Sequence, residues 1–377
     1  MAMLPFRIEF SERAIVDLHR RIDATRWPEL GYDAGWTTGT NDSVLRDLVR
    51  YWRRDYDWFA VQARLNGLAH LRGPIDGEEL HCVVYSGPGA ERRVPLLLLH
   101  GWPGSFVEFL DAAELLAAGA DSRPGFDLVV PSLPGFAFSE AARAGGLHPG
   151  RIAERMHALM QTLGFARYGV QGGDWGGIIG PALAQRHPEA VVGLHVNFGT
   201  ARLPAAPDDE LGEAERAYRE RRRRFEAEET GYSRIQGTRP QTLAYGLHDS
   251  PVGLLAWILE KFWVWSDHGD DLWETFDRDR LLTNVMLYWL TGSVLSASRI
   301  YYETAHMTEP LLDSPVTVPT AYARFPGEPF NPPREAMARA FNLVRYSEPP
   351  RGGHFAAMEQ PTLFAADVAA FFGGLGR

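Results

Sequence analysis

The chain has a single cysteine, Cys82, among 377 residues, and it lacks any long hydrophobic run. One cysteine excludes an intramolecular disulfide and a metal site built from cysteine ligands, and Cys82 itself is expected in the core. The N-terminus has no basic stretch followed by a long apolar segment, and no run reaches the roughly 18 apolar residues of a spanning helix. We therefore expect a cytoplasmic protein without a membrane segment.

The chain also has too little positive charge for a basic surface. Its formal net charge is −10, with 38 Lys and Arg against 48 Asp and Glu. Nucleic acids and anionic membranes both bind basic faces, so neither is expected as a partner. The one basic run, residues 219–224, is interleaved with glutamates. It predicts a solvent-exposed helix with i,i+4 ion pairs, and a phosphate-binding patch is the weaker alternative.

Strand and helix patterns alternate over residues 75–200 and again over residues 311–377. Alternation of this kind is typical of an α/β fold with a mostly parallel sheet flanked by helices. The predicted strands cover residues 80–86, 94–100, 126–131, 168–171, 191–198, 316–322 and 343–347. Three predicted helices cover residues 151–163, 178–184 and 361–372, and a fourth begins near residue 105.

Two segments lie outside this alternation. Residues 1–74 predict a helical N-terminal extension, with helices over residues 11–23 and 43–64. Residues 201–310 follow a link rich in proline and charge near residue 200, and they are mostly helical, with helices over 254–264 and 281–296. We interpret this second segment as a lid inserted into the α/β core, which places a binding pocket between the two.

The most informative motif is Gly-Gly-Asp-Trp-Gly-Gly at residues 172–177, between a short buried strand and an apolar helix. Small residues at a sharp strand-to-helix turn are typical of a hydrolase nucleophile elbow, here with Asp174 where a serine usually stands. A carboxylate with an ordinary pKa of ~3.9 is ionised at neutral pH and needs no activating base. It attacks a strained or activated sp3 carbon and leaves an alkyl ester, which fits epoxides and haloalkanes equally.

Hydrolysis of such an ester requires a general base and an acid that orients it. His354, in a glycine-bracketed turn late in the chain, is the predicted base. Glu328, on the loop after the predicted strand at 316–322, is the predicted acid, with Asp313 and Glu335 as alternatives.

The same hydrolysis requires backbone N–H groups that bind an oxyanion. Residues 100–105, His-Gly-Trp-Pro-Gly-Ser, directly follow the most buried predicted strand. We assign the donors to the N–H groups of Trp102 and Trp175, and we leave His100 a structural hydrogen-bonding role.

Together these motifs resemble the epoxide hydrolases of the α/β-hydrolase fold, within them the microsomal and juvenile-hormone type. The resemblance covers nearly the whole chain, including residues 5–8 and 23–28 of the N-terminal extension and 351–357 around the histidine. It implies that an epoxide and water react to a vicinal diol through an aspartyl ester, with no cofactor and no metal. The microsomal members begin with a membrane-anchor helix, which this sequence lacks.

The chain looks more like the soluble bacterial members, some of which serve antibiotic biosynthesis. A role in secondary metabolism or detoxification follows from that likeness, and a homodimer is left open. Two other functions are carried as alternatives. A haloalkane dehalogenase would use the same nucleophile and histidine, and a non-catalytic ligand-binding protein would share the fold.

The resemblance also implies that Tyr232 and Tyr301 are the two lid tyrosines that hydrogen-bond the epoxide oxygen. A phenol with an ordinary pKa of about 10 can donate a proton to the developing alkoxide at neutral pH. Tyr302 adjoins Tyr301, and which of the two faces the pocket is open. The aromatic residues of the lid suggest a bulky or aromatic epoxide as substrate. Alternatively, several of these rings pack in the core of the lid. Its rings are Trp257, Phe262, Trp263, Trp265 and Trp289.

Overall fold

A computed structural model describes residues 2–87, 94–119, 125–199 and 211–375. The link predicted near residue 200 lies outside these residues. Within them nine strands form one sheet. The strands are β1 Leu4–Pro5, β2 Ala69–Ile75, β3 Glu78–Tyr85, β4 Leu96–Leu99, β5 Leu128–Pro131, β6 Tyr168–Gly172, β7 Val191–Val196, β8 Val316–Ala323 and β9 Phe341–Ser347.

The sheet is mostly parallel, with an antiparallel edge contributed by the N-terminal half. Its order is β1-β2-β3-β5-β4-β6-β7-β8-β9. The pairs β1·β2, β2·β3 and β3·β5 are antiparallel, and the remaining pairs are parallel. All four leucines of β4 are fully buried, as expected of a central strand covered on both faces. This is the predicted α/β-hydrolase architecture.

Fifteen helices complete the part of the chain that the structure describes. Those of the extension and the core are α1 Glu12–Asp23, α2 Asp42–Arg54, α3 Trp58–Leu65, α4 Leu110–Ala118, α5 Pro149–Thr162, α6 Gly176–Arg186, α13 Arg334–Ala340, α14 Ala356–Glu359 and α15 Pro361–Leu375. Those between β7 and β8 are α7 Glu213–Glu228, α8 Gly231–Thr238, α9 Pro240–Asp249, α10 Pro251–Trp265, α11 Arg278–Thr291 and α12 Val294–Ala305. This second group covers the segment predicted to be a lid, and the name lid is kept for it.

The basic run of residues 219–224 lies on the lid helix α7. Arg222 pairs with Glu226 at 2.7 Å, and Arg223 pairs with Glu220 at 3.5 Å. Both pairs join side chains that are largely exposed. The run therefore has the i,i+4 and i,i+3 pairing of a solvent-facing helix.

The N-terminal extension differs from the sequence prediction, because it is not wholly helical. It also supplies β1 and β2, which join the sheet through β3. The helix predicted over residues 43–64 is two helices, since the Asp57 side chain accepts the N–H groups of Phe59 and Ala60 and starts α3 anew. The helix predicted over residues 281–296 likewise ends at Thr291, where Gly292 takes a left-handed φ of 65°.

A buried chain of side-chain hydrogen bonds joins the extension to the core. His70 of β2 lies 2.7 Å from the carbonyl oxygen of Leu65 through Nε2, so this nitrogen carries the proton and donates. His70 Nδ1 therefore accepts from His81 Nε2 at 2.8 Å, and His81 Nδ1 accepts from the Ser132 hydroxyl at 2.9 Å. Each ring needs one defined neutral tautomer, so protonating either one breaks a bond.

Acid should weaken the fold at this pair of histidines. Burial lowers the pKa of His70 and lowers that of His81 well below the ordinary value of 6.5, so both rings stay neutral when folded. In the unfolded chain these two histidines bind protons at a pH at which they stay neutral in the folded chain. The free energy of unfolding should therefore fall as the pH drops from about 7 to about 5, by up to about 2 kcal/mol for each ring.

Urea unfolding at several pH values measures this dependence. His81→Gln should flatten the curve because it removes one titrating group. The matched control is His248→Gln, which changes an exposed histidine and should leave the slope as in the parent. Equal slopes for all three proteins would show that the buried pair does not titrate in this way.

Candidate active site

Asp174 occupies a strained turn between β6 and α6. Its φ is +46°, in the left-handed region that side chains other than glycine rarely adopt. The neighbouring backbone leaves no space for larger residues. A Cβ on Gly176 would lie 2.0 Å from the carbonyl oxygen of Leu99, and one on Gly172 would lie 2.1 Å from that of Gly176. The glycines therefore allow the sharp bend that lifts Asp174 out of the sheet.

Two neighbours hold the carboxylate of Asp174. Its Oδ1 accepts the backbone N–H of Trp102 at 2.8 Å, and its Oδ2 lies 3.2 Å from Nε2 of His354. The predicted loop donor Trp102 thus already reaches the predicted nucleophile. Trp175 follows Asp174 in the chain, and its ring meets Tyr301 edge-on at 4.7 Å. The binding of an oxyanion by these two N–H groups stays a prediction.

The structure brings Glu328 onto the far side of His354. Nδ1 of His354 lies 2.8 Å from Oε2 of Glu328, whose other oxygen accepts the N–H of Phe330 at 2.9 Å. Both side chains are nearly fully buried. The alternatives Asp313 and Glu335 are exposed. Because Glu328 accepts the proton of Nδ1, Nε2 is the nitrogen that faces Asp174.

The charges around His354 favour its protonated form. Burial opposes protonation, but the facing carboxylates of Glu328 and Asp174 outweigh it and raise the pKa of His354 well above its ordinary value. Burial also raises the pKa of Glu328, against the opposing effect of His354. Both carboxylates therefore stabilise the protonated imidazole.

The two predicted lid tyrosines lie together beside Trp102, whose N–H binds Asp174. Tyr232 on α8 and Tyr301 on α12 have ring centroids 5.7 Å apart, and both rings contact Trp102. Burial, followed by the charge of Asp174 for Tyr232 and by Tyr232 itself for Tyr301, raises the pKa of both phenols. Tyr302 is half-buried and stacks on His306 at 4.1 Å instead. The geometry therefore places Tyr301 towards the site.

His100 has a structural environment. Its Nε2 accepts the N–H of Leu133 at 3.1 Å, and its Nδ1 donates to the carbonyl oxygen of Gly101 at 3.0 Å. Burial lowers the pKa of His100 to about 4, which keeps the ring neutral. This matches the hydrogen-bonding role expected from the sequence.

Among the described residues, no cluster of His, Cys, Asp or Glu side chains has an arrangement that could hold a metal ion. Nor does any helix within those residues combine the length and apolar character required to cross a bilayer.

Residues 3–109 match the sequence profile of the epoxide hydrolase N terminus, and residues 94–361 match that of the alpha/beta hydrolase fold. A protein of Stigmatella aurantiaca that carries the provisional name epoxide hydrolase is 40% identical over 375 residues, covering 98% of this chain and 84% of that protein. Epoxide hydrolase 1 of Oryctolagus cuniculus is 36% identical over 408 residues, covering 99% and 89%.

A solved structure agrees with these sequence matches. The crystal structure of juvenile hormone epoxide hydrolase from Bombyx mori superposes with a TM-score of 0.88 at 35% identity, covering all of this chain and 94% of that one. The chain belongs to the epoxide hydrolase family. It is an enzyme of the α/β-hydrolase fold, and the comparisons favour this family over a haloalkane dehalogenase or a non-catalytic binding protein.

In this epoxide hydrolase the lid aromatics do not all serve the pocket. Trp265 contacts Trp102, Tyr232 and His354. The remaining four rings pack elsewhere. Phe262 stacks on Phe355, Trp263 stacks on Trp36 of the extension, Trp257 donates to Gln236, and Trp289 lies under the guanidinium of Arg21.

Helix α11 of the lid holds the loop that carries Trp102. The Asn284 side chain donates to the carbonyl oxygen of Pro103 and accepts from the Ser105 hydroxyl, both at 2.7 Å. The Tyr288 hydroxyl donates to the carbonyl oxygen of Gly104 at 2.8 Å. Sequence reasoning missed these residues, since buried polar side chains on a helix carry no motif of their own.

Sequence reasoning also missed Glu359, which clamps the turn around His354. Its two oxygens accept the N–H groups of Gly353, Phe355 and Asp267, each at 2.8 Å. Burial raises the pKa of Glu359 to about 7, although these donors oppose the rise. Its position five residues after the histidine, in the helix that follows the turn, is the one sequence signal that could have found it.

Replacing Gly176 with alanine should disrupt the elbow. The new Cβ would lie 2.0 Å from the carbonyl oxygen of Leu99, so the backbone must shift. We expect the free energy of unfolding to fall by about 3 kcal/mol and activity to be lost. The control is Gly373→Ala in α15, where a Cβ meets nothing within 4 Å. That variant should gain up to about 1 kcal/mol, and an equal loss in both variants would contradict the argument.

Glu359→Gln should loosen the turn of His354, because the neutral amide is a weaker acceptor and one oxygen is lost. We expect kcat to fall about 10- to 100-fold, as displacement of a catalytic group can cost this much, with KM little changed. The exposed Glu335→Gln is the matched control and should keep full activity. Steady-state kinetics test the pair, and an unchanged kcat for Glu359→Gln would remove this residue from the argument.

Proposed function

We propose that this epoxide hydrolase opens its substrate by attack of Asp174 and releases a diol through His354. The observation that carries the proposal is the bonding of one carboxylate, Asp174, to the N–H of Trp102 on one side and to His354 on the other. Oδ2 is the oxygen that the main chain does not hold. It is therefore free to attack a ring carbon.

Ring opening requires a proton for the leaving oxygen. As Oδ2 bonds to carbon, the carbon–oxygen bond of the epoxide breaks and its electron pair moves to the epoxide oxygen. Tyr232 or Tyr301 supplies the proton to that oxygen, since both rings contact Trp102, whose N–H binds Asp174. The products of this step are a neutral ester on Asp174 and a tyrosinate.

Ester formation then prepares the base. The charge of Asp174 is one of the two that raise the pKa of His354, and the ester removes it. The imidazolium releases its proton to solvent, and the tyrosinate takes one up from solvent in exchange, so the phenol is restored. Neutral His354, still oriented by Glu328 at 2.8 Å, can now take a proton from water.

The attack of water completes the cycle. Hydroxide adds to the carboxyl carbon of the ester, and the resulting oxyanion lies where the N–H of Trp102 already points, with that of Trp175 as the second donor. Collapse of this intermediate breaks the bond between that carbon and the ester oxygen, and the departing alkoxide takes the proton that His354 removed from water. The carboxylic acid left at Asp174 then gives its proton to His354, which restores both groups. The diol leaves with one oxygen that came from Asp174.

The rings around Asp174 support an aromatic or bulky apolar epoxide as the substrate class. Trp102, Tyr232, Tyr301 and Trp265 contact one another at centroid distances between 5.1 and 6.4 Å. Phe198 adds an edge-on contact to His354 at 5.5 Å. Such rings offer apolar and edge-to-face contacts to an aryl group next to the reacting carbon.

A single-turnover reaction of excess enzyme with styrene oxide in oxygen-18 water tests the proposal. The first diol should contain no label from the solvent, because its new oxygen comes from Asp174. In His354→Gln the ester should accumulate and appear as an added mass on the intact protein. His248→Gln, at an exposed position, is the control and should not accumulate it. Solvent label in the first diol would overturn the covalent route.

A further inference from the structure

Lys261 is a buried cation in the lid, and the mechanism above does not use it. It lies on α10 with only 4% of its surface exposed, and its Nζ is 2.5 Å from the carboxylate of Glu260. Lysine is almost never buried to this extent unless it is paired. An ion pair on the surface would leave the ammonium group in water. The ammonium of Lys261 is buried instead, which suggests a role inside the lid.

The ammonium lies over the ring of the predicted proton donor. Lys261 Nζ is 4.6 Å from the ring centroid of Tyr232 and 5.5 Å from that of Trp265. A cation within about 6 Å of an aromatic centroid is attracted to the ring, most strongly when both are shielded from water. Tyr232 also stacks on Trp102 at 5.2 Å, with only 9° between the planes. Its ring is therefore held next to a positive charge.

Three carboxylates near Tyr232 oppose ionisation of its phenol. Burial is the largest cause that raises the pKa of its phenol, and the charges of Asp174, Glu328 and Glu260 raise it further. Burial raises the pKa of the nearby Glu229 carboxyl, and the charge of Lys261 opposes that rise. Each carboxylate resists the transfer of a proton from Tyr232. A cation next to the ring favours the transfer of this proton, because it stabilises the negative charge that the phenol acquires.

We propose that Lys261 promotes epoxide opening through Tyr232, because its charge stabilises the negative charge left on the phenol oxygen when the proton passes to the epoxide oxygen. This inference rests on the proposed function. Lys261 is a positioning residue, since it acts on the substrate only through the tyrosine. Its influence is confined to ring opening, and hydrolysis of the ester by His354 does not depend on it.

The test measures formation of the Asp174 ester from styrene oxide in the His354→Gln protein, where the ester accumulates, by rapid quench and intact mass. Adding Lys261→Met, which keeps the length and removes the charge, should slow ester formation by about 30-fold, the factor for a desolvated cation over a ring. Lys261→Arg should restore most of the rate. Glu260→Gln should be no slower than the parent, because it removes a negative charge.

A double-mutant cycle with Tyr232→Phe distinguishes the proposed route from a general structural effect. Once the phenol is gone, Lys261→Met should slow ester formation no further. With His354 intact, Lys261→Met should leave the rate of ester hydrolysis unchanged. Equal slowing by Lys261→Met and Glu260→Gln, or a full effect of Lys261→Met in Tyr232→Phe, would overturn the inference. Failure of the parent protein to form any ester would refute the proposed function instead.

Discussion

The site depends on the fixed position of one carboxylate. Asp174 is lifted out of the sheet by a left-handed turn, and that turn exists because Gly176 packs directly against the carbonyl oxygen of Leu99. The N–H of Gly176 also donates to the carbonyl oxygen of His100, which joins the turn to the loop carrying Trp102. Nucleophile and loop donor are therefore set by the same backbone contact. The side chains of His354 and the tyrosines are then arranged around a carboxylate whose position the backbone fixes.

The balance of charge is the second organising feature. One imidazole lies between the buried carboxylate of Glu328 and the half-buried carboxylate of Asp174, and both charges favour its protonated form. In such an arrangement, loss of the negative charge of Asp174 on ester formation would lower the pKa of His354. The same histidine could then be protonated before ring opening and neutral when it acts as the base. Burial strengthens every interaction involved, because little water is present to screen them.

The lid forms part of the site as well as its cover. Its helix α10 ends at Trp265, whose carbonyl oxygen accepts the N–H of His354 at 2.8 Å, and Asp267 just beyond accepts the N–H of Gly352. Helix α11 holds the loop of Trp102, while α8 and α12 carry the two tyrosines. Movement of the lid would thus shift the predicted base, the loop donor and the predicted acids together.

The sequence by itself determined the class of fold, and it predicted the nucleophile and the region of each partner, because these inferences depend on local patterns. Alternating strands and helices, glycines around Asp174 and a glycine-bracketed His354 are all readable within a few residues. The strands of the N-terminal extension were missed, since β1 has only two residues and β2 lies directly after a predicted helix. Tyr232 and Tyr301 came only from a family resemblance.

Tertiary structure decided the features that depend on contacts between segments far apart in the sequence. Glu359 and Asn284 bind main-chain groups that only the folded chain brings within reach. Of the five lid aromatics, Trp265 contacts the predicted site residues, and helical spacing cannot distinguish a ring that faces a pocket from one that fills a core. Lys261 is the clearest case. In the sequence it is an ordinary lysine beside a glutamate, and only the folded chain brings this charge on α10 next to the Tyr232 ring on α8.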